Sequence, residues 1–260
     1  MASINLTTLF GGINPLNSTY ITPVNFRAGE NIGTFNFGEL EGNKDKYTFN
    51  SQYLNKTKVE IEQLAKSSPR ITALLKENNI PLKVNIKALQ DLAKGHLMTT
   101  RITVAKMYSV LPKEMKEKVS LSDIQQAAML HDYGKVLVPE RILNKKGSLT
   151  PEEKKIMDLH SELGYELLKQ QGVKESVLML IKYHHQNPDG SGYPAINDDF
   201  EYGISSQIIT TADKYSALTE NRCYREKACS KETALEIIYK DVESGLISKE
   251  VFDALKKSVY

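Results

Sequence analysis

The sequence predicts an all-α protein, a bundle of about seven helices with a flexible N-terminal arm, and three observations carry that expectation. From about Lys56 onward apolar residues recur at spacings of three and four, the period of a helix buried along one face. Capping residues stand where several of the periodic segments begin. No stretch alternates polar and apolar residues well enough to read as a sheet. A length of 260 residues leaves room for one large domain or two small ones.

Taken in order, residues 1–55 form the arm, rich in Asn, Thr, Ser and Gly and without helical period; its aromatics, among them Phe26, Phe35 and Phe37, keep a short strand pair open as the alternative. Residues 56–82 read as a helical lead-in and 83–260 as the domain that carries the chemistry. Ile86, Leu89, Ala93, Leu97, Thr100, Val104 and Met107 mark one face of a single long helix that ends near Pro112. A second helix starts at about Ser122, read as its N-cap, and runs through Ile124, Ala127 and Ala128 to His131. A third opens on Thr150-Pro151-Glu152-Glu153, an N-cap, a first-turn proline and a capping glutamate, and continues through Ile156, His160, Leu163 and Leu167. Further helices are expected over about Lys174–His185, Ser205–Glu220, Lys231–Glu243 and Ser248–Lys257.

Charge and composition exclude several classes. Lys and Arg number 34 against 32 Asp and Glu, a net charge of +2, so there is no basic excess to hold a nucleic acid polymer, and an anionic ligand has to be held locally. No run of about 18 apolar residues points to a membrane, and the first residues lack an export signal, so the chain reads as cytoplasmic. Two cysteines, Cys223 and Cys229, cannot staple a chain of this size, which fits a reducing compartment.

The informative residues are those that interrupt the apolar faces. His96 sits between Ala93 and Thr100, and His131 extends the stripe of Ile124, Ala127 and Ala128, with Asp132 directly after it. His160 lies between Ile156 and Leu163, His184 follows Ile181 by three with His185 beside it, and Asp213 falls between Ile209 and Ser216. Singly, each histidine reads as a hydrogen-bonded core residue. A buried carboxylate, however, needs a partner, and five histidines with two aspartates directed inward from five successive helices match the way bundles build metal centres. Seven ligands exceed what one ion needs and suit two ions that share a carboxylate.

The same residues resemble a known family. His131-Asp132-Tyr133-Gly134-Lys135 is similar to the HDxGK signature of the HD phosphohydrolases. His184-His185 followed by Gln186 to Pro194, with Asp189-Gly190-Ser191-Gly192-Tyr193-Pro194 at its end, resembles the HHxxxDGSGYP signature of the HD-GYP branch. Ile142 to Thr150 with His160 resembles the segment between them, and Ala212-Asp213 through Ala217-Leu218-Thr219 to Arg222, Tyr224 and Arg225 resembles the closing ADxxxALTxxRxYR segment. The likeness covers about Lys83 to Tyr260.

The resemblance implies an HD-domain bundle that hydrolyses a cyclic dinucleotide, cyclic di-GMP before cyclic GMP-AMP, to linear pGpG and/or GMP by attack of metal-bound hydroxide. It implies two divalent ions, iron or manganese: His96, His131, Asp132 and Asp213 on one, with Asp132 bridging to a second on His160, His184 and His185. Asp132 and Lys135 become the catalytic pair, Lys135 facing the scissile phosphate, with Gly192, Tyr193, Pro194, Arg222 and Arg225 on the substrate. A signalling protein could dock through the GYP loop or the N-terminal arm. A non-catalytic nucleotide-sensing module is the alternative of another class; it predicts lost ligands, and none is lost. Departures from the family pattern are Gln186 where most members have Glu, Cys223 where Pro is usual, Leu92 where some members place a third-metal Glu, and Ala195 to Tyr202 in place of a glycine-containing link. A changed pocket rim is expected from them.

Overall fold

The structure, a computed structural model, describes residues 51–88, 91, 95–220 and 228–260. Its helices are α1 (Ser51–Ser67), α2 (Pro69–Glu77), α3 (His96–Val110), α4 (Lys113–Lys116), α5 (Leu121–Leu130), α6 (Glu140–Leu143), α7 (Pro151–Asp158), α8 (His160–Lys169), α9 (Glu175–Lys182), α10 (Ile204–Thr219), α11 (Lys231–Glu243) and α12 (Lys249–Val259). A 3-10 turn, Tyr133–Leu137, lies between α5 and α6. Among the described residues there is no strand beyond an isolated bridge, His185 to Tyr193, and no helix long and apolar enough to cross a membrane. Residues 1–50, most of the expected arm, lie outside the described residues.

Helix α3 is the axis of the bundle. It packs against α5, α10 and α12, and Leu97, Val104 and Met107 are fully buried. Neighbours on several sides explain why its sequence lacks a single apolar stripe: Thr100 and Thr103 are buried as well, their hydroxyls donating to the carbonyls one turn back. Helices α8 and α9 pack on each other, α9 on α5, and α8 on the 3-10 turn.

Several helix boundaries differ from the sequence expectation, and each has a local cause. The long helix expected from Ile86 to Met107 is divided. Gly95, the N-cap of α3, has φ −138° and ψ −84°, outside the helical region and easily adopted by glycine; Leu89, Leu92 and Ala93 lie outside the described residues. The N-cap of α5 is Ser120 rather than Ser122, with the Ser120 hydroxyl accepting from the Asp123 amide. Thr150 forms the expected capping box with Glu153, but the helix breaks at Leu159, so His160 opens α8 instead of continuing α7. Helix α9 stops at Lys182, leaving His184 and His185 beyond its end. These breaks, with the lead-in helices, raise the number of helices above the seven expected.

The 3-10 turn and α8 approach backbone to backbone. A Cβ built on Gly134 would lie 1.9 Å from the His160 carbonyl oxygen and 2.5 Å from the Gly164 nitrogen, and one on Gly164 would lie 3.1 Å from the Gly134 nitrogen. Neither glycine has the positive φ that would otherwise explain it. Two facing glycines therefore set how near the turn comes to α8. The link after Pro194, unlike the family pattern in sequence, is anchored: Asp198 Oδ2 accepts from Lys182 Nζ and from the Tyr183 hydroxyl, each at 2.7 Å, and Phe200 stacks on Tyr183 with ring centroids 4.2 Å apart.

Replacing Gly134 with Ala should cost at least about 1–3 kcal/mol, the range for overpacking, because the obstacle is backbone and cannot rotate away. Thermal denaturation of Gly134→Ala beside an exposed-site control such as Gly203→Ala, where the backbone is extended and a built Cβ meets nothing nearer than 4.0 Å, would measure it. An equal melting temperature in Gly134→Ala and wild type would refute the contact.

Candidate metal centre

Five segments bring the seven expected ligand residues together. His96 is the first residue of α3, His131 caps the end of α5, Asp132 follows it into the 3-10 turn, and His160 is the first residue of α8. His184 and His185 follow α9, and Asp213 stands in the middle of α10. Most of them thus lie at helix ends, not on the mid-helix faces the periodicity implied. His96, His131, Asp132, His160 and His184 are buried. Three overlapping groups have ligand atoms within 4.8 Å of one another: His96, His131 and Asp213; His131, Asp132 and His184; and His160, His184 and His185.

Three of the rings are fixed by the same device. His131 Nδ1 bonds to the Ala128 carbonyl at 2.9 Å, His160 Nδ1 to Met157 at 2.8 Å and His184 Nδ1 to Ile181 at 2.7 Å. A carbonyl only accepts, so Nδ1 carries the proton and the neutral ring turns an Nε2 lone pair inward. Those lone pairs converge without donors: His131 Nε2 is buried with no hydrogen-bond partner, and His160 Nε2 faces His184 Nε2 at 3.2 Å. Unprotonated nitrogens aimed at one another, with two carboxylates alongside, fit divalent cations and suit little else.

Asp132 lies between the two halves. Its Oδ2 is 3.7 Å from His96 Nε2 and 3.6 Å from His131 Nε2, and its Oδ1 is 3.4 Å from His160 Nε2. Lys135 Nζ donates to Oδ2 at 2.7 Å, with only 16% of its side chain exposed, so it is part of the centre and not a solvated lysine beyond a helix stop. Asp213 Oδ1 accepts from His96 Nε2 at 2.8 Å and lies 3.6 Å from His131 Nε2.

Burial would raise the Asp132 carboxyl, but Lys135 and the surrounding imidazoles overcome it and hold the pKa well below the usual carboxylate range. Asp213 is likewise held low, burial being offset by the adjacent His131 ring and the hydrogen bond from His96. Burial, reinforced by Lys135, lowers His160 to about 4. Burial, reinforced by His160, lowers His185 to about 3, and His184 too is pushed down by burial and its neighbouring histidines. His96 goes the other way: burial disfavours its charge, but hydrogen bonds to Asp213 and Glu220 win and lift it to about 9.

Glu220 is the residue that sequence reasoning missed. Its Oε2 lies 3.2 Å from His96 Nδ1, so His96 is oriented by a carboxylate where three other rings use carbonyls. The signal was present, since Glu220 follows Asp213 and Ser216 at spacings of seven and four, although it caps the end of α10 rather than lying within it.

Of the expected substrate residues, Gly192, Tyr193 and Pro194 border the His160–His184–His185 side. The Tyr193 ring lies 4.7 Å from the His185 ring and 6.3 Å from that of His160, and Lys154 Nζ is 4.9 Å from the Tyr193 centroid. Gly190 has φ 76°, the left-handed conformation that turns the loop back. Arg222, Tyr224, Arg225 and Cys223 lie outside the described residues.

Cation binding requires a neutral His96, which near neutral pH holds a proton that His160 and His185 do not. Loading metal at pH 7.5 should therefore release about one proton from the His96 site, with affinity rising as pH approaches about 9. Calorimetric titration in buffers of different ionisation enthalpy measures this, and an enthalpy independent of the buffer would contradict it. Glu220→Ala should weaken metal binding about 10–100-fold, the usual cost of losing a carboxylate behind a ligating histidine; unchanged affinity in a competitive chelator titration would remove Glu220 from the centre.

Comparison with known proteins agrees with this geometry. Residues 61–251 match the HD domain family. The chain is 37% identical over 145 residues to a cyclic di-GMP phosphodiesterase of Thermotoga maritima, covering 54% of this chain and 38% of that one. It is 35% identical over 137 residues to 3'3'-cGAMP-specific phosphodiesterase 3 of Vibrio cholerae, covering 52% and 29%. The chain thus spans well under half the length of these relatives. A solved HDG"Y"P protein from Bdellovibrio bacteriovorus shares the fold, with a TM-score of 0.50 and 15% identity over 85% of this chain and 67% of that one. A family model over most of the chain, joined to a matching fold and to the clustered histidines and aspartates, shows that the chain belongs to the HD domain family.

Proposed function

We propose that the chain is a metal-dependent phosphodiesterase of cyclic dinucleotides, acting on cyclic di-GMP to give linear pGpG and/or GMP. The observation that carries this reading is the Asp132 carboxylate, whose two oxygens face different histidine sets. His96, His131, Asp132 and Asp213 would hold one divalent ion and His160, His184 and His185, with Asp132, a second. Iron or manganese suits a set of imidazoles and carboxylates without thiolate. Such a pair of ions, when bound, lowers the pKa of water and stabilises the charge that develops on a phosphodiester.

The remaining roles belong to the chain itself. Lys135, mostly buried and 2.7 Å from Asp132, supplies a fixed positive charge where the scissile phosphate has to enter. Carbonyl tethers on His131, His160 and His184 keep their inward nitrogens unprotonated and oriented. Tyr193, packed beside His185, forms a wall against which a base can stack. Arg222 and Arg225 are assigned to the distal phosphate or a guanine edge on the motif resemblance.

A second substrate, 3'3'-cyclic GMP-AMP, is favoured by one observation: relatives bearing that name match at identities like those of the cyclic di-GMP enzymes. The link after Pro194 that departs from the family pattern bears on the same choice.

Protein purified without air and supplied with iron or manganese should retain about two ions per chain and hydrolyse cyclic di-GMP faster than other members of a cyclic di- and mononucleotide panel. Asp132→Ala should lose both properties, as measured by elemental analysis and product chromatography. Full turnover by Asp132→Ala would defeat the reading, and metal retention with no turnover on any substrate would favour a sensing module instead.

A further inference from the structure

We propose that Gln186 is a positioning residue: its side chain latches the loop of residues 187–194 against the His185 side of the centre and thereby holds Tyr193 at the substrate wall. The inference rests on the cyclic dinucleotide reading for what that wall contacts, while the latch itself is carried by the geometry of Gln186.

Gln186 follows His185 directly and is fully buried. All three of its bonds go to the loop that comes next. Oε1 accepts from the Asn187 amide at 2.9 Å and from the Gly192 amide at 2.8 Å, and Nε2 donates to the Pro194 carbonyl at 2.7 Å. One side chain therefore grips the beginning of the loop and two points near its end. Between those grips the Tyr193 amide donates to the His185 carbonyl at 3.2 Å, and the Tyr193 ring lies on the His185 ring. Gly192 belongs to the same device, since a Cβ there would lie 2.5 Å from the Gln186 Cα and 2.2 Å from the His185 carbonyl oxygen.

The amide group explains why this position is Gln here although the family pattern has Glu. The two backbone amides need an acceptor and the Pro194 carbonyl needs a donor, and a carboxamide offers both on one planar group. A carboxylate would serve the amides and leave its second oxygen facing the Pro194 carbonyl. Gln186 thus closes the loop at Pro194, the point where the chain enters the atypical 195–202 link.

Two variants separate the parts. Gln186→Met keeps the volume and removes all three bonds; Gln186→Glu keeps the acceptor and removes the donor to Pro194. In the metal-loaded 260-residue chain, Gln186→Met should lose hydrogen-exchange protection at the Gly192 and Tyr193 amides and raise KM for cyclic di-GMP about tenfold, with metal content unchanged and kcat little altered. Gln186→Glu should keep Gly192 protected and show a smaller rise in KM. Wild-type protection in both variants would overturn the latch. Lost protection with unchanged KM would overturn the positioning role. If Gln186→Met does not fold, Gln186→Glu with wild-type KM and protection at Tyr193 is the overturning result. Absence of turnover in the wild type would count against the phosphodiesterase reading alone, and exchange would still decide the latch.

Discussion

The centre depends on how closely the turn after α5 approaches α8. With no side chain at Gly134 or Gly164, backbone meets backbone, and Asp132, two residues before Gly134, is carried to within 3.4 Å of the His160 ring nitrogen. Any side chain at Gly134 would separate the turn carrying His131 and Asp132 from the helix carrying His160. The carboxylate would then face one histidine set instead of two. In this motif the glycine relates less to turn geometry than to the distance between two halves of a site.

A second constraint is that most of the candidate ligand residues stand at helix ends. At the end of a helix the carbonyls of the last turn lack partners within the helix, and His131 and His184 take such carbonyls, those of Ala128 and Ile181, for their Nδ1 protons. His160 uses the Met157 carbonyl at the break between α7 and α8. Ends of helices thus fix the tautomer of the ring and satisfy backbone polar groups with the same bond. That leaves Nε2 to point inward, at the cost of a set of buried lone pairs that only a cation or a proton can compensate.

This arrangement also explains what could be read from the sequence. Helical periodicity identified the inward faces, and because His96, His131, His160, His184 and Asp213 sit in phase with those faces, the residues that cluster in the structure were legible before any geometry. Boundaries were not, because periodicity passes smoothly through Gly95 and Leu159 while the backbone does not. His96 and His160 consequently open helices that the pattern would have them continue. Glu220 lay in phase with Asp213 but read as a helix terminus, its role depending on α3 lying alongside α10. Gln186 was visible only as a departure from a family motif, and its bonds run to a loop whose path no periodicity describes.

The segment that departs most from the family pattern is held apart from the centre by its own anchors. Asp198 is tied to Lys182 and Tyr183, and Phe200 stacks on Tyr183, so the link is docked on the end of α9. Tyr183 is buried immediately before His184, and the link therefore bears on the centre through the backbone of the histidine pair. The 187–194 loop bears on the same pair through Gln186 and Tyr193. The two histidines are held between a link and a loop that meet at Pro194. Variation in either would reach His184, His185 and the wall beside them first, while Asp132, His96 and His131 are positioned from other elements.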